Sequence, residues 1–273
     1  MERRPLGKDT GLSVPVIGLG TYRVFNARTD AGRARCEVVV DAALEQGANF
    51  FDSSPMYGEA ESVLAHALGD RRDEAIIATK VWARTRAIGE QQIDNALAMF
   101  EQVDVYQVHN LLAVADHLPY LEFLQQAGRI GAVGITHYLP SAMPQIAELI
   151  RQERVHAVQV PYHPGERTIE RSVLPQAEAA GTGVIVMTPL EAGRLMDRPA
   201  SPQEMVPLAG FGVFTWAQAL LKWILSDPRI SCVIPATSSA DHMRENAAAG
   251  RPPWFDENTR DYVAQLATRV SRA

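Results

Sequence analysis

Short apolar runs alternate with longer amphipathic stretches along most of the chain, and the order repeats eight times. The short runs are Val14–Leu19, Ala48–Phe51, Ala75–Thr79, Val103–Val108, Ala132–Ile135, His156–Val160, Gly183–Met187 and Cys232–Ile234. They lack a clean polar/apolar alternation, as parallel strands buried on both faces do. Between them the apolar positions recur at helical spacing, as Val39, Val40, Ala43 and Leu44 do within Cys36–Glu45. The same pattern predicts helices over Glu59–Leu68, Gly89–Phe100, Leu118–Ala127, Ser141–Arg151, Ser172–Ala180, Val213–Leu225 and Ala240–Ala248, and one more over Glu257–Val270. Gly47, Gly128 and Gly181 fall where three of these helices should stop, as glycines after a helix C-terminus do.

Eight strand–helix units predict an α/β fold, a (β/α)8 TIM barrel, with an N-terminal β-hairpin over Leu6–Val16 and a C-terminal extra helix. The competing architecture is an open doubly wound sheet. It would carry a Gly-x-Gly-x-x-Gly turn after an early strand, and Gly18-Leu19-Gly20-Thr21 has the wrong spacing. A length of 273 residues suits one barrel domain spanning 1–273. Met196–Gly212, rich in Pro and small residues, is the longest loop-like stretch and is expected to act as a lid.

Composition narrows the function. A net charge of -6, with no basic run, argues against a nucleic-acid or anionic-membrane partner. No stretch approaches the apolar length of a membrane span, and Met1–Leu6 does not read as a secretory signal. Cys36 and Cys232 read as packed thiols of a reduced, cytoplasmic protein, and no metal-ligand spacing is present. A monomer is expected, since no long exposed apolar stripe is evident.

Three strands end in groups that hold or move protons. Asp52 follows Phe50-Phe51, Lys80 follows Thr79 and His109 follows Val108, with Tyr57 in the turn beyond Asp52. A parallel barrel brings all strand C-termini to one face, so these four converge there. An ammonium stabilises a phenolate and lowers its pKa, a carboxylate holds the ammonium, and a histidine orients a carbonyl oxygen. Such a set suits protonation of a carbonyl oxygen while hydride reaches its carbon. An Asp at a strand end also serves as a helix cap, Lys80–Asp52 as a structural ion pair and His109 as an ordinary buried histidine. On the residues alone both readings stand.

The stretch Asp52–Glu61 resembles the aldo-keto reductase signature, as do Thr79–Trp82 and Asp104–Asn110. Leu12–Thr21, Gly131–Tyr138, Val158–His163 and Val233–Thr237 extend the resemblance over nearly the whole chain, in the family's order. It implies an oxidoreductase that reduces aldehydes or ketones with a nicotinamide cofactor. In that family Tyr57 is the general acid/base, Lys80 tunes it, Asp52 pairs with Lys80 and His109 orients the substrate. The resemblance also implies that Thr136, His137 and Gln159 meet the nicotinamide carboxamide, and that Tyr22 and Trp82 line the pocket for a small carbonyl or alcohol. Thr21, Met187, Pro189, Leu190, Gly193 and Arg194 fall along the cofactor path, and Thr237, Ser238, Ser239, His242, Glu245 and Asn246 at its adenosine end.

Three departures qualify that picture. Met187 stands where many members have an aromatic ring against the nicotinamide, and a thioether packs there less rigidly. Thr136-His137 replaces the commoner Ser-Asn. Ala236 and His242 stand where many NADPH-preferring members carry Lys and Arg; Arg244 is a further cation nearby, which helical spacing puts on a different side from His242. The resemblance therefore favours NADP(H) with NAD(H) possible. Two alternatives remain at this level: a NAD-dependent dehydrogenase of a sugar or related alcohol, and a cofactor-binding barrel without turnover.

Overall fold

The computed structural model describes residues 1–270. A hairpin of β1 (Arg3–Pro5) and β2 (Ser13–Pro15) comes first. Eight parallel strands follow: β3 (Leu19–Gly20), β4 (Phe50–Asp52), β5 (Ile76–Val81), β6 (Val103–Val108), β7 (Ile130–Thr136), β8 (Ala157–Pro161), β9 (Gly183–Met187) and β10 (Cys232–Val233). Each pairs with its sequence neighbour, and single bridges Ile17–Val233 and Gly20–Ala236 join the last strand to the first. The sheet thus curls into the expected barrel.

The helices are α1 (Asp30–Glu45), α2 (Ala60–Leu68), α3 (Arg86–Phe100), α4 (Val114–Gln126), α5 (Met143–Arg151), α6 (Ile169–Ser172), α7 (Leu174–Ala180), α8 (Pro202–Met205), α9 (Trp216–Leu225), α10 (Ala240–Ala248) and α11 (Glu257–Val270). Several starts differ from the apolar periodicity because polar caps set them. Thr29 accepts from the Gly32 N–H and starts α1 well before Cys36, while a Thr215/Gln218 capping box delays α9 to Trp216. The helix predicted over Ser172–Ala180 divides at Val173, with Pro175 in the first turn of α7. Gly47, Gly128 and Gly181 take φ of 72°, 69° and 68° at the ends of α1, α4 and α7.

Period-two alternation sorts the strand side chains into two cores. Phe51, Val108, Val133, Val158 and Val186 face the helices. Phe50, Ala78, Val105, Ala132, Ala157, Ile185 and Cys232 fill the barrel interior together with Leu6 and Val14 from the hairpin. The single strand predicted over Val14–Leu19 therefore serves two layers: Val14 belongs to the hairpin that plugs the barrel floor, while Leu19–Gly20 joins the wall, with Ile17 bridging Val233 just before it. Arg4 ties the plug down by donating to the carbonyls of Leu225, Asp227 and Ile230.

Met196–Gly212 is ordered into α8 and a tight turn over Val206–Phe211, with Leu208 fully buried. Tyr262 on α11 donates to the Glu204 carbonyl and Lys222 on α9 to the Phe211 carbonyl. The expected lid is strapped to the outer helices. Among the described residues no single helix is long and apolar enough to cross a membrane, and no group of potential ligands is placed to hold a metal ion.

Candidate active site

Alternation along β4 turns Phe50 and Asp52 inward and Phe51 outward. One layer above the apolar barrel core, the inward positions of neighbouring strands become polar: Asp52, Lys80, Gln107 and Gln159, all buried. Lys80 Nζ lies 2.7 Å from each Asp52 carboxylate oxygen and 2.7 Å from the Ser53 carbonyl. These three acceptors engage all of its N–H groups. Gln107 and Gln159 donate through Nε2 to Asp52 Oδ1 and Oδ2 at 3.3 and 3.4 Å. Burial pushes the Asp52 carboxyl up and the Lys80 ammonium down, each against the pull of the other.

Tyr57 returns over this layer by a short turn. Ser54 caps Pro55–Tyr57, its hydroxyl accepting the Met56 N–H, and the turn ends at Gly58 with φ 69° and ψ -122°. An added Cβ at Gly58 would lie 2.5 Å from Asn26 Oδ1, so this corner requires glycine on both counts. The Tyr57 ring sits 5.2 Å from Lys80 Nζ and lies edge-on to His109 with centroids 5.7 Å apart. The exposed Tyr22 ring covers its far side at 4.9 Å.

Tyr57 departs from the expected electrostatics. Its pKa is raised, first by burial, then by the Asp52 charge and by Tyr22, rather than lowered by Lys80. Lys80 faces the tyrosine ring and spends its N–H groups on Asp52 and Ser53, so its charge is largely balanced before it reaches the phenol. His109 is held down to about 3 by burial, with Lys80 and His137 adding to the effect, and is a neutral imidazole at physiological pH. Its Nδ1 lies 2.8 Å from Ser54 Oγ. That hydroxyl already accepts from Met56, so donation of its proton to Nδ1 satisfies every group and leaves the His109 proton on Nε2.

The other expected residues fall in three places. The Thr21 hydroxyl donates to the Asp52 carbonyl and accepts from Ser53 Oγ, locking the end of β3 to β4. Thr136 stands in register with Gln159 at the strand ends, and the His137 N–H reaches the Gln159 carbonyl at 3.3 Å. Trp82 is exposed beyond β5, its backbone held by Gln92. Met187 ends β9, and Pro189, Leu190, Gly193 and Arg194 follow it, where Thr188, Glu191 and Ala192 adopt φ of 49°, 50° and 53°, and Arg194 pairs with Glu191 at 3.3 Å. Thr237, Ser238 and Ser239 lead into α10. Ser239 caps it by accepting the His242 N–H, so its hydroxyl is already engaged. His242 is exposed, Glu245 half-buried and Asn246 buried. Arg244 is spread between Asp241 and Glu45 at 3.3 and 3.2 Å.

Gln107 and Ser54 were not anticipated. Gln107 had a signal: it is the polar residue two positions beyond Val105 on the inward face of an otherwise apolar strand. Ser54 had none, because its partner lies in the loop beyond another strand. A separate cavity of about 470 Å³ opens at the opposite end of the barrel, beside Gly7, Gly183 and Ser231. It is remote from the proton-transfer groups.

The aldo/keto reductase family model matches residues 16–266. The chain belongs to the aldo/keto reductase family. It is 27% identical over 259 residues to methylglyoxal reductase YeaE of Escherichia coli, covering 91% of this chain and 89% of that one. It is 23% identical to the NADH-specific methylglyoxal reductase of E. coli, over 100% and 99% of the two chains. Among solved structures, an aldo-keto reductase from Klebsiella pneumoniae in complex with NADPH superposes with a TM-score of 0.81 at 24% identity, over 97% and 95% of the chains. The fold of this aldo/keto reductase is thus the family's barrel.

The cofactor such enzymes use has a carboxamide that both donates and accepts hydrogen bonds, and the residues here fit it. Gln159 gives Nε2 to Asp52 while its Oε1 is buried with no partner among the described residues, leaving an acceptor for an amide N–H. His137 Nδ1 accepts the Leu139 N–H at 3.0 Å, which puts the ring proton on Nε2 as a donor.

Proposed function

We propose that this aldo/keto reductase reduces small aldehydes and ketones to alcohols, with NADP(H) as the favoured cofactor and NAD(H) possible, Tyr57 acting as general acid. The observation that carries this reading is the convergence of Asp52, Lys80 and His109 on Tyr57 at the C-terminal ends of β4, β5 and β6.

The nicotinamide cofactor supplies the hydride when bound. The protein's own groups handle the oxygen. His109, neutral and with its proton on Nε2, donates a hydrogen bond to the carbonyl oxygen and fixes its position. Tyr57 then delivers its phenolic proton to that oxygen as negative charge develops there. A raised Tyr57 pKa keeps the phenol protonated across neutral pH, the state in which it can donate its proton. Lys80 and Asp52 provide a fixed, nearly neutral floor that keeps the ring and Gln159 in place. A barrel that only bound a cofactor would not need to bury this ion pair at considerable desolvation cost.

The substrate class follows from the rim. Tyr22 and Trp82 are exposed, and the chain after His109 is only a short turn before α4. An open mouth of this kind suits small carbonyls, in keeping with two relatives named for methylglyoxal. The reading places the enzyme in the cytoplasm as a monomer of one barrel domain, in line with two separate buried thiols, Cys36 and Cys232.

The test is loss of nicotinamide absorbance with methylglyoxal and with a bulky aromatic ketone, each with NADPH and NADH. Turnover is expected with the small aldehyde in at least one cofactor and faster than with the bulky ketone. Absence of turnover with every carbonyl in both cofactors refutes the assignment.

A further inference from the structure

The adenosine end of the site lacks the cations the family commonly uses there, yet a neighbouring element supplies two others. Gly20 bridges Ala236, which sets the loop after β3 beside the turn that leads into α10. The 16 residues of α1 pack along the nine of α10, with Arg244 joined to Glu45 between them. Both helices start at the same end of the barrel. Between their starts lies a cavity of about 320 Å³, lined by Arg28, Thr29, Gly32, Arg35, Cys36 and Ser238 among others. Among the described residues no ion pair involves Arg28 or Arg35.

We propose that Arg28 and Arg35, across the cavity from Ser238, form the clamp for the ribose 2′-phosphate of NADP(H). This rests on the nicotinamide-dependent reading above. A guanidinium presents paired N–H donors to a phosphate, two of them match a dianion, and the Ser238 hydroxyl adds a neutral donor. The positive N-terminal ends of α1 and α10 favour an anion in the same place. The cations have moved from the loop and helix after β10 to the loop and helix after β3, and Ala236 and His242 lose their need for charge. Cofactor choice in this chain then resides in an element that does not touch the nicotinamide.

The test is binding rather than turnover. NADPH and NADH are titrated by nicotinamide fluorescence against the full chain and against Arg28→Ala, Arg35→Ala and the double variant, with 2′,5′-ADP and 5′-AMP as competitors. The wild type is expected to bind 2′,5′-ADP roughly 10-fold or more tightly than 5′-AMP, as one charge-assisted contact allows. In the double variant that preference should vanish and the NADPH Kd rise roughly 10- to 100-fold. The NADH Kd should move less than about 3-fold, which also reports an intact fold. Unchanged NADPH affinity in the double variant overturns the clamp and leaves the cofactor reading standing. Equal loss of NADH overturns it too, by assigning the arginines to the pyrophosphate. If the wild type binds neither dinucleotide, the cofactor reading itself fails.

Discussion

Lys80 and Asp52 are each other's main solvation. Lys80 is fully buried and Asp52 almost so, and among the described residues the ammonium has no acceptor other than the carboxylate and the Ser53 carbonyl. Removing one charge strands the other, which typically costs about 3–5 kcal/mol, whereas removing both costs far less. Lys80→Met and Asp52→Asn should therefore each lower stability by about that amount in urea unfolding. The double variant should recover most of it, with non-additivity the mark of a coupled pair. Its carbonyl reduction should stay roughly 100-fold or more below wild type, since Tyr57 loses its floor. A double variant no more stable than either single would show that the pair is not the unit described here. Ser54 plays a smaller part at this scale, choosing the tautomer through which His109 can donate.

At the level of elements, the site depends on how closely β6, β7 and β8 approach. Gly134 on β7 leaves space for Gln107: an added Cβ would lie 2.8 Å from Gln107 Cγ and 3.0 Å from the Ala157 carbonyl. Gly134→Ala should thus displace Gln107 from Asp52, costing about 1–3 kcal/mol of stability by overpacking. Chemical denaturation together with kcat checks this, and a variant with wild-type stability and kcat would refute the role given to Gln107. Strand periodicity made much of this legible. The bounds of β6 and β9 follow from their apolar runs, and the inward side of each strand follows from its end residue. Val14–Leu19 misled because its apolar residues serve two layers, the floor plug and the wall. The start of α1 was hidden because a cap at Thr29, not apolar spacing, begins it. Ser54–His109 and Arg28–Arg35–Ser238 join different loops, and no local pattern encodes which loops meet. Family resemblance placed Lys80 beside Tyr57 but not the balance of burial against charge, which raises the tyrosine.

On the scale of the molecule, the barrel divides labour between its ends. The hairpin closes the floor with Leu6 and Val14, so the interior is a packed core and all chemistry is displaced to the strand C-termini. There, three consecutive strands bring the proton-handling groups together, while the proposed phosphate clamp lies at the seam between β3 and β10. The convergence on Tyr57 is the central claim. Single-turnover oxidation of bound NADPH by methylglyoxal, in wild type and Tyr57→Phe with cofactor affinity measured in parallel, tests it most directly. Equal cofactor affinity and a hydride-transfer rate at least about 100-fold lower in the variant are expected. Equal rates in the two proteins would contradict it.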